Sequence, residues 1–137
     1  MPKKSFNDDS IIRGLKAARA LISKRNGWIK GAYARRSPSD AQAVYELGDL
    51  ARCFCADGAL RRVSGGPTAG LDCELYESIA HVFKRAIHKV SRRIRFVSIP
   101  CWNDRPRTTK ALVLKTFDKA IELRKRQITA ELKAAAA

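Results

Sequence analysis

Residues 71–90, LDCELYESIAHVFKRAIHKV, decide the fold class. Leu71, Leu75, Ile79, Val82, Phe83, Ala86, Ile87 and Val90 recur at helical spacing over five turns. Such a stripe is buried only if other elements cover it, so the chain must supply partners of comparable length. The polar face turns basic toward the end at Lys84, Arg85 and Lys89, which complements the negative end of the helix dipole.

The partners are found on either side. Asp8, Asp9 and Ser10 offer side-chain oxygens for a helix start, and Ile11, Leu15, Ala18 and Ile22 then share one face, widened by Ile12 and Leu21. Asn26-Gly27 suits the left-handed stop of that helix. Near the C-terminus, Thr108 or Thr109 is the expected cap. Val113, Leu114, Phe117, Ala120, Ile121, Ile128 and Leu132 are expected to point inward, with Lys110, Lys115, Lys119, Arg124, Lys125 and Arg126 on the outer face. Between these, Ser37-Pro38-Ser39-Asp40 reads as a helix start continued by Val44 and Leu47 and broken at Gly48-Asp49. A further helix is expected from Leu50 or Phe54 to Val63, stopped by Ser64-Gly65-Gly66-Pro67. Residues 93–99 alternate polar and apolar and read as an extended connector, with Pro100 to Arg107 a loop. The expected architecture is therefore mainly α: a compact irregular bundle of four to five helices, with one short extended segment near 93–99. One domain over 1–137 is expected, loose at residues 1–8 and 134–137.

Charge is the strongest functional signal. The 137 residues carry 28 Lys plus Arg against 13 Asp plus Glu, a net of +15. The distribution is uneven: residues 1–40 carry +7, residues 41–80 carry −3, and residues 81–137 carry +11. Self-repulsion on this scale opposes compaction, and a polyanionic partner is the common compensation; a well-solvated surface is the alternative. No apolar run is long enough to span a bilayer, and Met1 to Asp9 has no apolar signal core. A cytoplasmic protein with no membrane partner is expected.

Catalytic and metal signatures are thin. Cys53 and Cys55 form a close pair, but Cys73 and Cys101 do not form a second, so reduced buried thiols are expected and no metal. His81 and His88 complete no familiar pattern, and a Cys55–His81 pairing is only formal. No phosphate loop or dinucleotide fingerprint occurs, and no cofactor is expected. Aromatic residues are only 7% of the chain, too few for a base-stacking platform. A helix-turn-helix around Gly65-Gly66-Pro67 would begin its second helix with Asp72, Glu74 and Glu77, three carboxylates facing a phosphate-lined groove.

Two segments carry chemistry. Arg92, Arg93 and Arg95 put three guanidinium groups on one short stretch able to track a phosphate backbone, or to lie solvated between helices. Trp102-Asn103-Asp104-Arg105, with Arg107, can bind a polar ligand, or can hydrogen-bond its own loop and cap the next helix.

The ordered set Gly27-Trp28, Cys55-Ala56-Asp57-Gly58-Ala59-Leu60 and Trp102-Asn103-Asp104-Arg105 with Arg107-Thr108 resembles an uncharacterised family of small bacterial and phage proteins. That family shows a leading helix, Gly-Trp, a Cys-x-x-Gly-Ala-Leu helix and an Asn-Asp-Arg loop before a last helix. The resemblance spans roughly residues 11–121; this chain departs from it by a long insert between Trp28 and Cys55 and by its basicity. It implies no activity, but it does imply that Trp28, Cys55, Gly58, Asn103 and Asp104 meet in space, as a structural node or a small pocket that Trp102 would complete.

Three functions follow as expectations. The first is non-enzymatic binding of nucleic-acid phosphates, DNA or RNA, through Arg92, Arg93, Arg95, Arg105, Arg107, Lys110, Arg124, Lys125 and Arg126. The second is an interaction or inhibitor protein of phage type that grips an acidic partner surface with the same arginines. The third is a small-ligand binder or enzyme built on the Trp-Asn-Asp-Arg loop.

Overall fold

The structure is a computed structural model and describes residues 6–66, 73–92 and 98–137. A 3-10 turn, Phe6–Asp8, leads into α1 (Ser10–Ser23). Two short strands follow, β1 (Ala34–Arg35) and β2 (Cys53–Phe54), and then α2 (Ala56–Ser64), α3 (Cys73–Val90), α4 (Ile99–Asn103) and α5 (Lys110–Ala136). The protein is mainly α, as the apolar periodicity predicts.

The caps explain where the long helices begin and end. Asp9 accepts from the backbone N–H of Ile12 at 3.0 Å, satisfying a donor that the first turn of α1 leaves open. Asn26 adopts φ 57° beyond the end of α1, and Gly27 is required because a Cβ there would overlap the carbonyl oxygen of Leu21. Thr109 caps α5 through Leu112 N–H. Gly65 ends α2 in the left-handed region at φ 86°.

The core gathers around Phe83. Its ring meets Trp102 edge-on at 5.7 Å between centroids and Phe117 at 4.6 Å. Leu15, Ala18 and Ile22 of α1, Leu60 of α2, Ile79 and Ile87 of α3, and Val113 and Ala120 of α5 belong to the same buried cluster. Contacts fix the directions of the helices. Asp9 meets Arg124 while Arg19 meets Asp118, so α1 and α5 run antiparallel. Phe83 faces Phe117 while Arg92 lies beside Arg126, so α3 and α5 run parallel.

Four expectations are corrected. No helix forms over 37–47: Ser37 to Asp40 is a turn closed by Asp40 N–H on Ser37 C=O at 3.2 Å, and Val44 N–H reaches Ala34 C=O at 3.1 Å. Val44 and Leu47 are only half-buried, and without an apolar stripe to bury, a helix start has nothing to hold it. The next helix begins at Ala56, later than expected, because Cys53–Phe54 pairs antiparallel with Ala34–Arg35. The loop expected from Pro100 is half helix: Ser98 caps α4 through Cys101 N–H, with Ile99 and Pro100 in its first turn. Ile99 is thus helical and the extended expectation fails there, while residues 93–97 lie outside the described residues. Finally, α5 continues through Ala136 and leaves Leu132 50% exposed, so Leu132 does not point inward.

Candidate functional site

Trp28 approaches Asn103 because β2 holds the chain on both sides of it: Phe54 N–H donates to Gly27 C=O at 2.8 Å and Ile29 N–H to Phe54 C=O at 3.1 Å. The Trp28 indole N–H donates to Asn103 Oδ1 at 2.8 Å. The same oxygen accepts from Ala56 N–H, in the first turn of α2, at 3.0 Å. The Asn103 amide donates to Ile29 C=O and to Asp104 Oδ1, both at 3.0 Å. Asp104 Oδ1 also accepts from Gly31 N–H at 2.9 Å. Asn103 is fully buried, and both its donors and both its acceptor positions are occupied. It joins the end of α4, the start of α2 and the 28–31 segment.

Cys55 completes this junction. Its sulfur accepts from Gly58 N–H at 3.2 Å and caps α2. Burial pushes the Cys55 thiol up to about 12, so it is held neutral and is no nucleophile at ordinary pH. Gly58 lies against the Tyr33 backbone, where a Cβ would overlap the carbonyl oxygen. Trp28, Cys55, Gly58, Asn103 and Asp104 thus meet as the resemblance implies. A cavity of about 190 Å³ beside them is lined by Gly31, Tyr33, Cys55, Pro100 and Asp104. Trp102 does not line it; its ring is buried against Phe83, and its indole N–H has no partner among the described residues.

A second junction adjoins it along α2, with Tyr33 taking part in both. Asp57, 2% exposed, accepts from Tyr76 hydroxyl at 2.7 Å and Arg61 Nε at 3.0 Å. The Arg61 guanidinium stacks 4.2 Å from the Tyr33 ring centroid. Burial and the hydrogen bond to Asp57 raise the Tyr76 phenol. These contacts tie α2 to α3 and to the 29–52 segment.

The cations collect elsewhere. Arg85, Lys89 and Arg92 at the end of α3 and Lys119 and Arg126 of α5 line a cleft of about 530 Å³, with Leu123 and Gln127 between them. Seven residues separate Arg85 from Arg92 and Lys119 from Arg126, so each row is about 10 Å long. Among the described residues, no carboxylate and no aromatic ring lines this cleft.

Residues 7–123 match a protein family described as a family of unknown function (DUF6197). The chain belongs to that family. No curated protein and no solved structure matches the chain. The matched region of this DUF6197 protein contains both junctions and stops at Leu123, the last buried residue of α5.

Of the residues singled out from the sequence, the cleft of the DUF6197 protein brings together Arg92 and Arg126. Arg93 and Arg95 lie outside the described residues. Arg124 turns away from the cleft and grips Asp9 with two nitrogens at 2.9 and 3.1 Å, its charge matched by a buried carboxylate. Lys125 sits 5.9 Å from the Phe6 ring centroid. Arg105, Arg107 and Lys110 stand at the opposite end of α5, where Lys110 donates to Lys24 C=O at 2.7 Å. Sixteen residues of helix separate Lys110 from Arg126, about 24 Å, so these cations form a separate patch. Arg85, Lys89 and Lys119 were not among the expected site residues. Their spacing was visible, but only the parallel pairing of α3 with α5 places the two rows side by side.

Proposed function

We propose that this DUF6197 protein is a non-enzymatic accessory protein that binds nucleic acid by its phosphate backbone, in the cytoplasm of a bacterium or of a phage host. The observation that carries the proposal is the cleft between α3 and α5, where Arg85, Lys89, Arg92, Lys119 and Arg126 converge and, among the described residues, no carboxylate is part of the lining. Guanidinium and ammonium groups bind phosphate oxygens through charge-assisted hydrogen bonds and release condensed counterions. A lining dominated by cations favours backbone charge over stacking, and so a duplex over a single strand, because a duplex presents twice the charge per unit length.

The test is fluorescence anisotropy of labelled duplex DNA, single-stranded DNA and structured RNA at several salt concentrations. Glu122 already pairs Lys119 and Arg126, so three to five cations set the slope of log affinity against log salt for duplex DNA, between about −2.7 and −4.5. Arg85→Ala, Lys89→Ala and Arg92→Ala together are expected to lessen that slope by close to three. Affinity that ignores salt, or no binding to any of the three polymers at low salt, refutes the proposal.

A further inference from the structure

The core and the family match both end at Leu123, but α5 does not. It runs on to Ala136, and residues 129–137 are all exposed. Beside it lies a groove of about 530 Å³ that shares Arg126 with the cationic cleft, with Phe6, Ile121, Thr129 and Ala130 supplying its apolar surface and Asp118, Glu122, Lys125, Arg126 and Lys133 its charged edges. Ile128 and Leu132 follow Ile121 at i+7 and i+11 and extend an apolar stripe along the same length of helix. A stretch of thirteen helical residues past the core is marginal on its own in water. The groove spans Asp118 to Lys133, about 22 Å along the axis, the length of four helical turns.

The charges on the rim say what fits. Asp118 is paired with Arg19 at 2.7 Å, and Glu122 with Lys119 at 3.0 Å and Arg126 at 2.5 Å. With those carboxylates matched, Lys125 and Lys133 dominate the rim. A second copy of this chain is a poor occupant: residues 124–137 carry Arg124, Lys125, Arg126 and Lys133 against Glu131, a net of +3 that repels itself. An apolar floor offers phosphates nothing, and a concave groove walled by Phe6 suits a rod better than a flat lipid surface.

We propose that the groove formed by Phe6 and the outer face of α5 docks an acidic amphipathic helix of a partner protein. Apolar anchors of that helix at i, i+4 and i+7 would lie on Phe6, Ile121 and Ala130, and its flanking carboxylates on Lys125 and Lys133. This groove shares only Arg126 with the lining of the cleft, and the inference does not depend on nucleic-acid binding.

The probe is a fluorescein-labelled 16-residue helical peptide with Leu at i, i+4, i+7 and i+11 and Glu at the flanking positions. Its counterpart has Lys for every Glu. The acidic peptide is expected to bind the full chain, and the basic one at least ~10-fold more weakly. Ala130→Glu and Thr129→Glu, both at exposed positions away from the core, are expected to weaken the acidic peptide ~10-fold by like-charge repulsion while leaving the circular dichroism spectrum unchanged. Ala111→Glu, at the far end of α5, is expected to leave it unaffected. Equal binding of both peptides, indifference to Ala130→Glu, or no binding up to about 1 mM overturns the proposal. So does dimerisation in sedimentation that Ala130→Glu abolishes, or binding to phosphatidylserine vesicles without peptide binding.

Discussion

Replacing Asn103 by Ala tests the central junction. The substitution removes the acceptor shared by Trp28 Nε1 and Ala56 N–H and the donor to Ile29 C=O. The bond to Asp104 matters less, because that carboxylate is exposed and water replaces it. Each buried backbone group left without a partner costs about 1–3 kcal/mol, and two such groups, Ala56 N–H and Ile29 C=O, are stranded. With a small contribution from the cavity, the expected loss is about 3–5 kcal/mol, a large part of the ~5–15 kcal/mol that holds an ordinary domain. Urea unfolding followed at 222 nm is the assay, with the denaturant slope checked for constancy. Trp28→Phe provides the graded comparison: it deletes one donor, leaves Asn103 bonded to Ala56, and is expected to cost only about 1 kcal/mol. A loss below ~1 kcal/mol for Asn103→Ala, at unchanged slope, would refute the assignment of Asn103 as the buried link between α4, α2 and the 28–31 segment. Unchanged stability with lost ligand binding would move the residue from structure to function.

Gly58→Ala is expected to cost about 3 kcal/mol or more, or to prevent folding, because its Cβ would overlap the Tyr33 carbonyl oxygen and neither backbone can yield; thermal unfolding checks it against Gly48→Ala, where the same addition meets only Tyr45 at 3.2 Å. Burial raises the Cys55 thiol from 9.0 to about 12, so the folded state binds a proton that the unfolded state releases. The stability this contributes is fully present below pH 9 and lost as pH rises toward 12. Cys55→Ser keeps a capping oxygen for Gly58 N–H and is expected to flatten the alkaline decline of stability in urea titrations between those pH values, with Tyr76 and Cys53, also raised, accounting for what remains.

The helices were legible where one local signal repeated over many turns. The stripe through Ile79, Phe83 and Ile87 and the one through Val113, Phe117 and Ala120 both face the core. The caps at Asp9 and Thr109 and the stop at Gly65 are likewise set by neighbours within four residues. The 29–52 segment was not legible. Its start signal at Ser37-Pro38 is a correct turn signal, but turn and helix share those residues, and only the missing apolar face separates them. The short helix α4 escaped because five residues carry no period, although Ser98 followed by Pro100 is a cap signature. Within the candidate site, Asn103 and Trp28 were named from the sequence, but their contact was implied by resemblance and not by spacing.

By itself the sequence determined the α class, the span of the long helices, the surplus of positive charge and the need for glycine at the ends of α1 and α2. These depend on residues close along the chain. Tertiary structure alone decided which cations meet. It matched Arg124 to Asp9 and set Arg85, Lys89 and Arg92 opposite Lys119 and Arg126. It also brought Trp28 to Asn103, seventy-five residues away. The reason is the range of the forces. Caps and periodicity act within a turn or two, whereas a charged cleft or a buried amide exists only after distant helices have packed and excluded water between them.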